Sequence, residues 1–150
     1  YIKREMNLAI GETTAEQIKI QIGCAMPLMT EMSMDVRGRD LASGFPRNIK
    51  VTSTQIEEAI KESINKIVDI VKLTLEKTPP ELASDIMEKG IILAGGGALI
   101  KNLDKLLSNE TGMPVYVADE PLDCVVRGTG KTLDDLERLK TVLVNSRKRR

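Results

Sequence analysis

The sequence contains no histidine and no tryptophan, and it has few aromatic residues and few cysteines. Without histidine, the chain cannot build a His-dependent catalytic triad, a histidine proton shuttle or a His-containing metal site. Its aromatic residues are Tyr1, Phe45 and Tyr116, too few for a platform that stacks single-stranded nucleic acid. Cys24 and Cys124 lie far apart without a Cys-x-x-Cys motif, which excludes a disulfide framework and is typical of a reducing compartment.

Net charge and long apolar runs are also missing. Lysine and arginine total 22, as do aspartate and glutamate, so the formal net charge is zero. Because nucleic-acid binding usually relies on a broad basic surface, we predict no nucleic-acid partner. A basic cluster stands in the tail, residues 146–150. No run reaches the roughly 18 apolar residues of a membrane-spanning helix, and we expect no signal peptide. Because the chain opens with Tyr1 inside a helix-like pattern, we expect a piece of a longer protein.

The composition is that of a globular protein, and the first residues predict helices. A length of 150 residues with 41% apolar and 29% charged residues fits one ordinary domain or two small lobes. Residues 1–10 predict the end of an amphipathic helix closed by Gly11. Thr13 and Glu16 have the spacing of a capping box and predict a second helix, which stops at Gly23.

The middle of the chain predicts a hairpin followed by a long helix. Period-two alternation over residues 32–36 and a matching segment at 47–51 indicate antiparallel strands. Thr54 and Glu57 predict a capping box at the start of the long helix, which must end near Thr78 because two prolines follow. Its apolar residues recur at helical spacing and predict one buried stripe: Ile56, Ile60, Ile64, Ile67, Val71 and Leu75.

The last third predicts a short helix and then a β-α-β unit. Residues 78–88 predict the helix, with Thr78 and Glu81 as its cap, and residues 91–94 predict a strand covered on both faces. The intervening helix, residues 99–108, directs four leucines inward: Leu99, Leu103, Leu106 and Leu107. Residues 115–117 predict a second, parallel strand. Further helices are predicted after Pro121 and over residues 132–145.

The run Gly95-Gly96-Gly97 is the strongest local signal, because it stands between a predicted strand and a predicted helix. Glycines there let a flat ligand or a phosphate approach the backbone, but they also suit a plain tight turn, and both interpretations remain open. The dinucleotide fingerprint fails, since Ile100 occupies the position of its third glycine. Gly128–Thr132 resembles the end of a P-loop, but Val125 replaces the required first glycine and the segment is helical in pattern.

Other candidate residues have simpler interpretations. Glu16 and Lys19 lie three residues apart on one helix face and could clamp a ligand, or could serve only as a cap and a local ion pair. Cys124 follows a helix start but has no histidine partner, which favours a packing role. The remaining carboxylates form no obvious acid–base constellation, so no catalytic residue is predicted.

Several longer strings resemble the MreB/Mbl family of bacterial actin-like rod-shape proteins. The resemblance extends over roughly residues 1–140 and is strongest in the following segments: Gly11–Glu16, Val36–Leu41, Thr78–Ile86, Gly90–Leu99, Asp123–Val125 and Gly128–Lys131. It implies an α/β chain with the actin/Hsp70-like ATPase fold (RNase H-like), of which this chain is the second domain only. Residues 1–62 would form a smaller α+β upper subdomain, and residues 63–150 a β-α-β lower subdomain with the basic tail.

The resemblance also implies a ligand and the residues that contact it. In actin-fold ATPases the glycine turn after this strand lines the adenosine pocket, which implies contacts from Gly95, Gly96, Gly97, Ala98 and Leu99. A Glu-x-x-Lys helix of the upper subdomain covers the base and ribose, which implies roles for Glu16, Lys19 and Gly23. Many superfamily members carry a glycine at about position 101–102, where this chain has Lys101-Asn102.

For the whole protein, the resemblance implies an ATP-dependent cytoskeletal protein. It would polymerise into filaments at the inner face of the cell membrane, within the cytoplasm, and direct cell-wall synthesis and rod shape. The phosphate-binding hairpins, the Mg²⁺-associated aspartate and the catalytic glutamate of the family lie upstream of this region, so we expect the chain alone not to hydrolyse ATP. The alternatives are a sugar kinase, an Hsp70-like chaperone, or a scaffold module without nucleotide.

Overall fold

A computed structural model describes residues 1–135 and 139 of the chain. Two small sheets, each packed against helices, are connected by one long helix. No helix in the described part is long and apolar enough to cross a membrane. The elements are α1 (Ile2–Met6), β1 (Leu8–Ala9), α2 (Glu12–Ile22), β2 (Ser33–Asp40), β3 (Pro46–Thr52), α3 (Ser53–Glu76), α4 (Pro80–Lys89), β4 (Ile91–Leu93), a 3₁₀ helix (Gly96–Leu99), α5 (Leu103–Thr111), β5 (Val115–Val117) and α6 (Cys124–Asp134).

The first sheet has the strand order β1-β2-β3 and is antiparallel throughout, which confirms the predicted hairpin. Val36 of β2 lies opposite Ile49 of β3. The predicted helix over residues 1–10 is wrong in its second half. It ends at Met6, because Asn7 takes the left-handed conformation with φ 52°, and Leu8 then begins a strand. A strand of two residues is too short for its alternation to be recognised.

The second sheet pairs β4 with β5 in parallel, as predicted, with Ile91 opposite Val115. One face packs on α3 and α5 through a core of five buried residues: Ile64, Val68, Leu103, Leu107 and Val115. The expectation that β4 is covered on both faces is wrong for the described chain, since Ile92 is 61% exposed. The inward position predicted for Leu99 is also wrong. Leu99 is 52% exposed, because it belongs to the 3₁₀ helix before α5.

Helix α3 connects the two sheets and begins two residues earlier than the sequence indicated. Its capping box uses Thr52 and Gln55 rather than Thr54 and Glu57: the Gln55 N–H donates to Thr52 Oγ1, and the Thr52 N–H donates to Gln55 Oε1. The helix ends at Glu76, close to the predicted end before the prolines.

The buried stripe of α3 differs in part from the predicted one. Ile56 and Ile64 are buried as predicted, and Ile60 packs against the cores of both sheets. The prediction is wrong at Ile67, which is 40% exposed, while the next residue, Val68, is buried instead.

Three other predicted helix starts are also corrected. Helix α2 begins after Gly11, and helix α4 begins after Pro79; neither has a side-chain cap, so the Thr13–Glu16 and Thr78–Glu81 boxes are wrong. Pro121 lies in a turn, and α6 begins at Cys124. Of the helix predicted over residues 132–145, most lies outside the described residues.

The tip of the β2–β3 hairpin is organised by Asp40. Its Oδ1 accepts the backbone N–H groups of Ala42 and Ser43 and the Ser43 hydroxyl. Its Oδ2 accepts a bond of 2.5 Å from Arg47 Nη1. Arg47 also donates to the carbonyl of Met6, so the carboxylate connects the hairpin to the end of α1. These bonds satisfy a carboxylate that is buried apart from 8% of its surface.

This network predicts an acid-sensitive hairpin. The Ser43 backbone N–H, and next the Arg47 guanidinium, hold the pKa of Asp40 at about 2, below the usual 3.8. A carboxylate with a lowered pKa in the folded state stabilises the fold above its unfolded pKa and loses that contribution as the pH falls through the folded pKa. We therefore expect resistance to urea to fall between pH 3.8 and about 2.

The variant Asp40→Asn tests this expectation, because it keeps the shape of the side chain but removes its charge. It should be less stable than the wild type at neutral pH and should lose most of the pH dependence in that acid range, as measured by urea titration followed by circular dichroism. Asp35→Asn, on an exposed site of the same strand, is the control and should behave like the wild type. Equal acid sensitivity in Asp40→Asn would contradict the role of this carboxylate.

Candidate functional site

The glycine turn, residues Gly95–Gly97, follows the carboxyl end of β4. Gly95 has φ 80°, which side-chain-bearing residues rarely adopt, and its N–H donates to the Pro121 carbonyl at 2.7 Å. The 3₁₀ helix then turns the chain away from the sheet. A Cβ added to Gly96 would be 3.4 Å from Leu122, and one added to Gly97 would have no atom within 4 Å. The turn therefore presents open backbone to its surroundings at Gly96 and Gly97.

Ala98 and Leu99 complete the 3₁₀ helix in two different ways. Ala98 is buried and its N–H donates to the Gly95 carbonyl at 3.1 Å, so it anchors the turn. Leu99 presents its side chain to the surface, where an apolar group is available to a ligand.

Glu16 and Lys19 lie exposed on α2. Their local explanation from the sequence is wrong. Glu16 does not complete a capping box, and neither side chain makes a hydrogen bond or an ion pair within the described residues. Lys19 lines a cavity of about 550 Å³ between α1, α2, β1 and α3, whereas none of the residues from Gly95 to Leu99 does.

Gly23 ends α2 and is buried, and its lack of a side chain has a steric reason. Its N–H donates to the Lys19 carbonyl at 3.0 Å, and a Cβ at this position would lie 2.3 Å from that same oxygen. The glycine thus allows the chain to leave the helix at once and to run beside the residues that follow the 3₁₀ helix.

The end of α2 and the glycine turn are brought together by Lys101. The Lys101 N–H donates to the Gly23 carbonyl at 3.4 Å, and the Lys101 carbonyl accepts from Ala25 at 2.8 Å, forming a parallel bridge around Cys24. The Lys101 ammonium donates to the Gln21 carbonyl at 2.7 Å and to the Ile20 carbonyl at 3.4 Å. The end of α2 is therefore a neighbour of the segment that follows the 3₁₀ helix, although about 75 residues separate the two in the chain.

Asn102 lets the chain turn directly after Lys101, although the chain has no glycine there. Asn102 has φ 61°, in the left-handed region that glycine favours and asparagine tolerates. Its amide Nδ2 donates to the Pro27 carbonyl at 3.3 Å, which adds a second contact to the loop after α2. Sequence reasoning missed the role of Lys101, since no local pattern relates residue 101 to residues 20–25.

The side chains near the glycine turn and α2 include no metal-ligand cluster and no activated cysteine among the described residues. Within the described residues, no group of three or more Cys, Asp and Glu side chains could hold a metal ion. Burial raises the pKa of the Cys24 thiol, with a smaller contribution from Glu57, so this cysteine stays protonated and acts as a packing residue. Gly128–Thr132 lies inside α6, which confirms that the segment is not a P-loop.

The sequence matches the model of the MreB/Mbl protein family over residues 1–141. The chain belongs to the MreB/Mbl family. It is 50% identical over 139 residues to the cell shape-determining protein Mbl of Bacillus subtilis, a match that covers 93% of this chain and 42% of Mbl. It is 51% identical over 137 residues to the cell shape-determining protein MreB of Escherichia coli, covering 91% of this chain and 40% of that protein. The chain thus spans about two fifths of the length of these relatives.

Solved structures agree with this family assignment and with the actin-like fold. MreB5 of Spiroplasma citri bound to ADP superposes with a TM-score of 0.87 at 42% identity, covering 92% of this chain and 42% of that one. The same protein bound to AMPPNP gives a TM-score of 0.85 at 41% identity, covering 97% and 43% of the two chains. A MamK double helical filament gives 0.64 at 20% identity, covering 81% and 37%, and shows the shared fold alone.

Gly23 is sterically crowded and Gly97 is open, so alanine substitutions at these two positions should affect stability differently. Gly23→Ala places a Cβ against the Lys19 carbonyl, so the end of α2 must shift, and we expect a loss of about 1–3 kcal/mol in the free energy of unfolding, as for other overpacked sites. In Gly97→Ala the new Cβ has no atom within 4 Å, so the free energy of unfolding should change by less than about 0.5 kcal/mol. Urea denaturation of both variants measures the difference. Equal losses would contradict the steric account of Gly23.

Proposed function

We propose that this chain supplies the adenosine-binding side of an ATP site in an MreB/Mbl-family protein. The observation that supports this most strongly is the position of the end of α2, which Lys101 holds beside the segment that follows the open glycine turn. Gly96 and Gly97 leave room for a flat base or sugar, and Glu16 and Lys19 have no local partners among the described residues. The Spiroplasma citri MreB5 structures with ADP and AMPPNP add support from a related chain.

Each predicted site residue has a role in this proposal. Gly95, Gly96 and Gly97 let the nucleotide approach the backbone, with Ala98 anchoring the turn and Leu99 offering apolar contact. Glu16 and Lys19 bind the base and ribose from α2, and Gly23 lets α2 end close to the ligand. In the whole protein, bound ATP would supply a phosphate chain whose hydrolysis could change the state of the filament. Mg²⁺ would be bound outside the described residues, which offer no cluster of acidic ligands for it.

For the whole protein, the proposal is an actin-like filament protein that determines cell shape. Its relatives are named cell shape-determining proteins, and the more distant MamK is described as a double helical filament. We propose that the protein self-associates into filaments in the cytoplasm, at the inner face of the membrane, and works with the cell-wall synthesis machinery there. The nucleotide would act by biasing how the two large domains sit relative to each other. The family match disfavours a sugar kinase or an Hsp70-like chaperone.

The division of the chain into two lobes is part of the same proposal. We assign residues 1–62 to an upper subdomain and residues 63–150 to a lower subdomain. Two separate clusters of buried side chains support this, one around the β1-β2-β3 sheet and one around the β4-β5 sheet. The ATP site would then lie where the two lobes meet, which is a common location for ligands.

Gly96→Val tests the proposed site. The Cβ of the new side chain meets only Leu122, at an ordinary contact distance, so we expect the fold to tolerate it, while the branched group would occupy the space that the nucleotide needs. We expect ATP affinity to fall at least about tenfold, or 1.4 kcal/mol, because one side of the ligand would be displaced. The measurement is the binding of a fluorescent ATP analogue to a chimera in which this chain replaces the matching part of Bacillus subtilis Mbl.

Lys105→Met is the control, because Lys105 lies on an exposed site of α5. It should bind ATP like the unmodified chimera. An unmodified chimera that ignores ATP would contradict the proposed function and would favour a scaffold module without nucleotide. A chimera that binds ATP equally well with and without Gly96→Val would show that the nucleotide site lies elsewhere.

A further inference from the structure

Lys101 makes an unusual set of contacts for a lysine. Its side chain bonds the carbonyls of Ile20 and Gln21, while its own backbone bonds Gly23 and Ala25. The residue lies two positions after the end of the 3₁₀ helix, and the residues it contacts are the last turn of α2 and the loop that follows. Backbone and side chain therefore hold the same two elements together.

The physical reason lies in the unsatisfied carbonyls at a helix end. The last four carbonyl groups of an α-helix have no partner within the helix, and their partial negative charges favour a cation. At the end of α2, the Lys19 carbonyl is bonded by Gly23. The next two, Ile20 and Gln21, are bonded by the Lys101 ammonium. The cation thus satisfies two of the four carbonyls at the end of α2 from the chain segment that follows the glycine turn.

We propose that Lys101 is a positioning residue that fixes the distance between α2 and the glycine turn, so that both can contact one nucleotide. This inference rests on the proposed function and adds a residue to it that need not touch the ligand. Lys19 is one turn before Gly23, and Glu16 is almost one further turn back. A shift or rotation of the end of α2 would therefore move both side chains relative to Gly96.

The first test measures the mechanical part of the inference without nucleotide. Cys24 is 1% exposed and lies inside the bridge that Lys101 forms, so opening the bridge should expose its thiol. In the 150-residue chain with Cys124→Ser, Cys24 is the sole cysteine. We expect Lys101→Met to raise the rate of Cys24 labelling by a thiol reagent about fivefold or more, because losing the ammonium bonds to the Ile20 and Gln21 carbonyls loosens the segment whose backbone forms the bridge. Lys101→Arg should restore slow labelling, since guanidinium can donate to the same carbonyls.

The second test measures the effect on the nucleotide in the Mbl chimera. Lys101→Met should weaken binding of the fluorescent ATP analogue about fivefold, a size typical of coupling between sites. Lys101→Arg should recover most of the affinity, and Lys105→Met should leave it unchanged. The decisive measurement is a double-mutant cycle with Lys19→Met. If Lys101 acts by positioning Lys19, its removal should cost much less affinity once Lys19 is already gone.

The outcomes separate this inference from the proposed function. A chimera that binds no ATP would overturn the nucleotide proposal, and the positioning role with it. A chimera that binds ATP, responds to Gly96→Val and is indifferent to Lys101→Met would overturn the positioning role alone. Strictly additive losses in the cycle, or a Lys101→Arg variant as weak as Lys101→Met, would assign Lys101 to general stability and also overturn the inference.

Discussion

The apolar stripe of α3 is the constraint on which the rest of the structure depends, because one helix face serves two cores. Ile56 is buried in the cluster around the first sheet, Ile64 and Val68 are buried in the cluster around the second, and Ile60 packs against both. The helix has 24 residues and is therefore about 36 Å long at 1.5 Å per residue. Each sheet packs against a different part of this helix, so α3 sets how far apart the two cores lie.

A second connection joins the two halves of the described chain beside the glycine turn. Helix α3 joins them through apolar packing, which tolerates small rotations more easily than directed bonds do. The Lys101 bridge adds directed hydrogen bonds between the loop after the glycine turn and the end of α2. The proposed adenosine site lies next to this second connection and at the carboxyl end of β4, where ligands of open α/β sheets commonly bind. The residues that connect the two cores at this end, Lys101 and the end of α2, therefore lie next to the proposed adenosine site.

Features that depend on periodicity could be predicted from the sequence. The hairpin, the long helix and the parallel pair of β4 and β5 were recognisable from alternation, helical spacing and proline positions. Helix caps were less predictable, since several Thr-x-x-Glu strings compete and only Thr52 with Gln55 forms a box in α3. Leu99 was assigned to the core because its spacing fits the helix of Leu103 and Leu107, but a 3₁₀ segment precedes that helix and turns Leu99 outward.

The candidate site was predictable only in part, for a related reason. Gly95–Gly97 stood out locally, and Glu16, Lys19 and Gly23 came from the resemblance to the family. Lys101 could not be found in either way, because its contacts join segments that are distant in the chain and its role depends on the carbonyls of a helix end. The exposure of Ile92 and Tyr116 could not be predicted either, because it depends on which face of the two-stranded sheet the helices of the described residues leave uncovered.

The most direct test of the account is calorimetric titration of ATP into this chain, alone and mixed with the part of Bacillus subtilis Mbl that the chain does not match. The account places one side of the nucleotide site on α2 and the glycine turn and the other side outside this chain. It therefore predicts saturable heat of ATP binding that is much stronger in the mixture than with either part alone. A mixture that forms a complex but gives no more ATP binding than its separate parts would contradict the account.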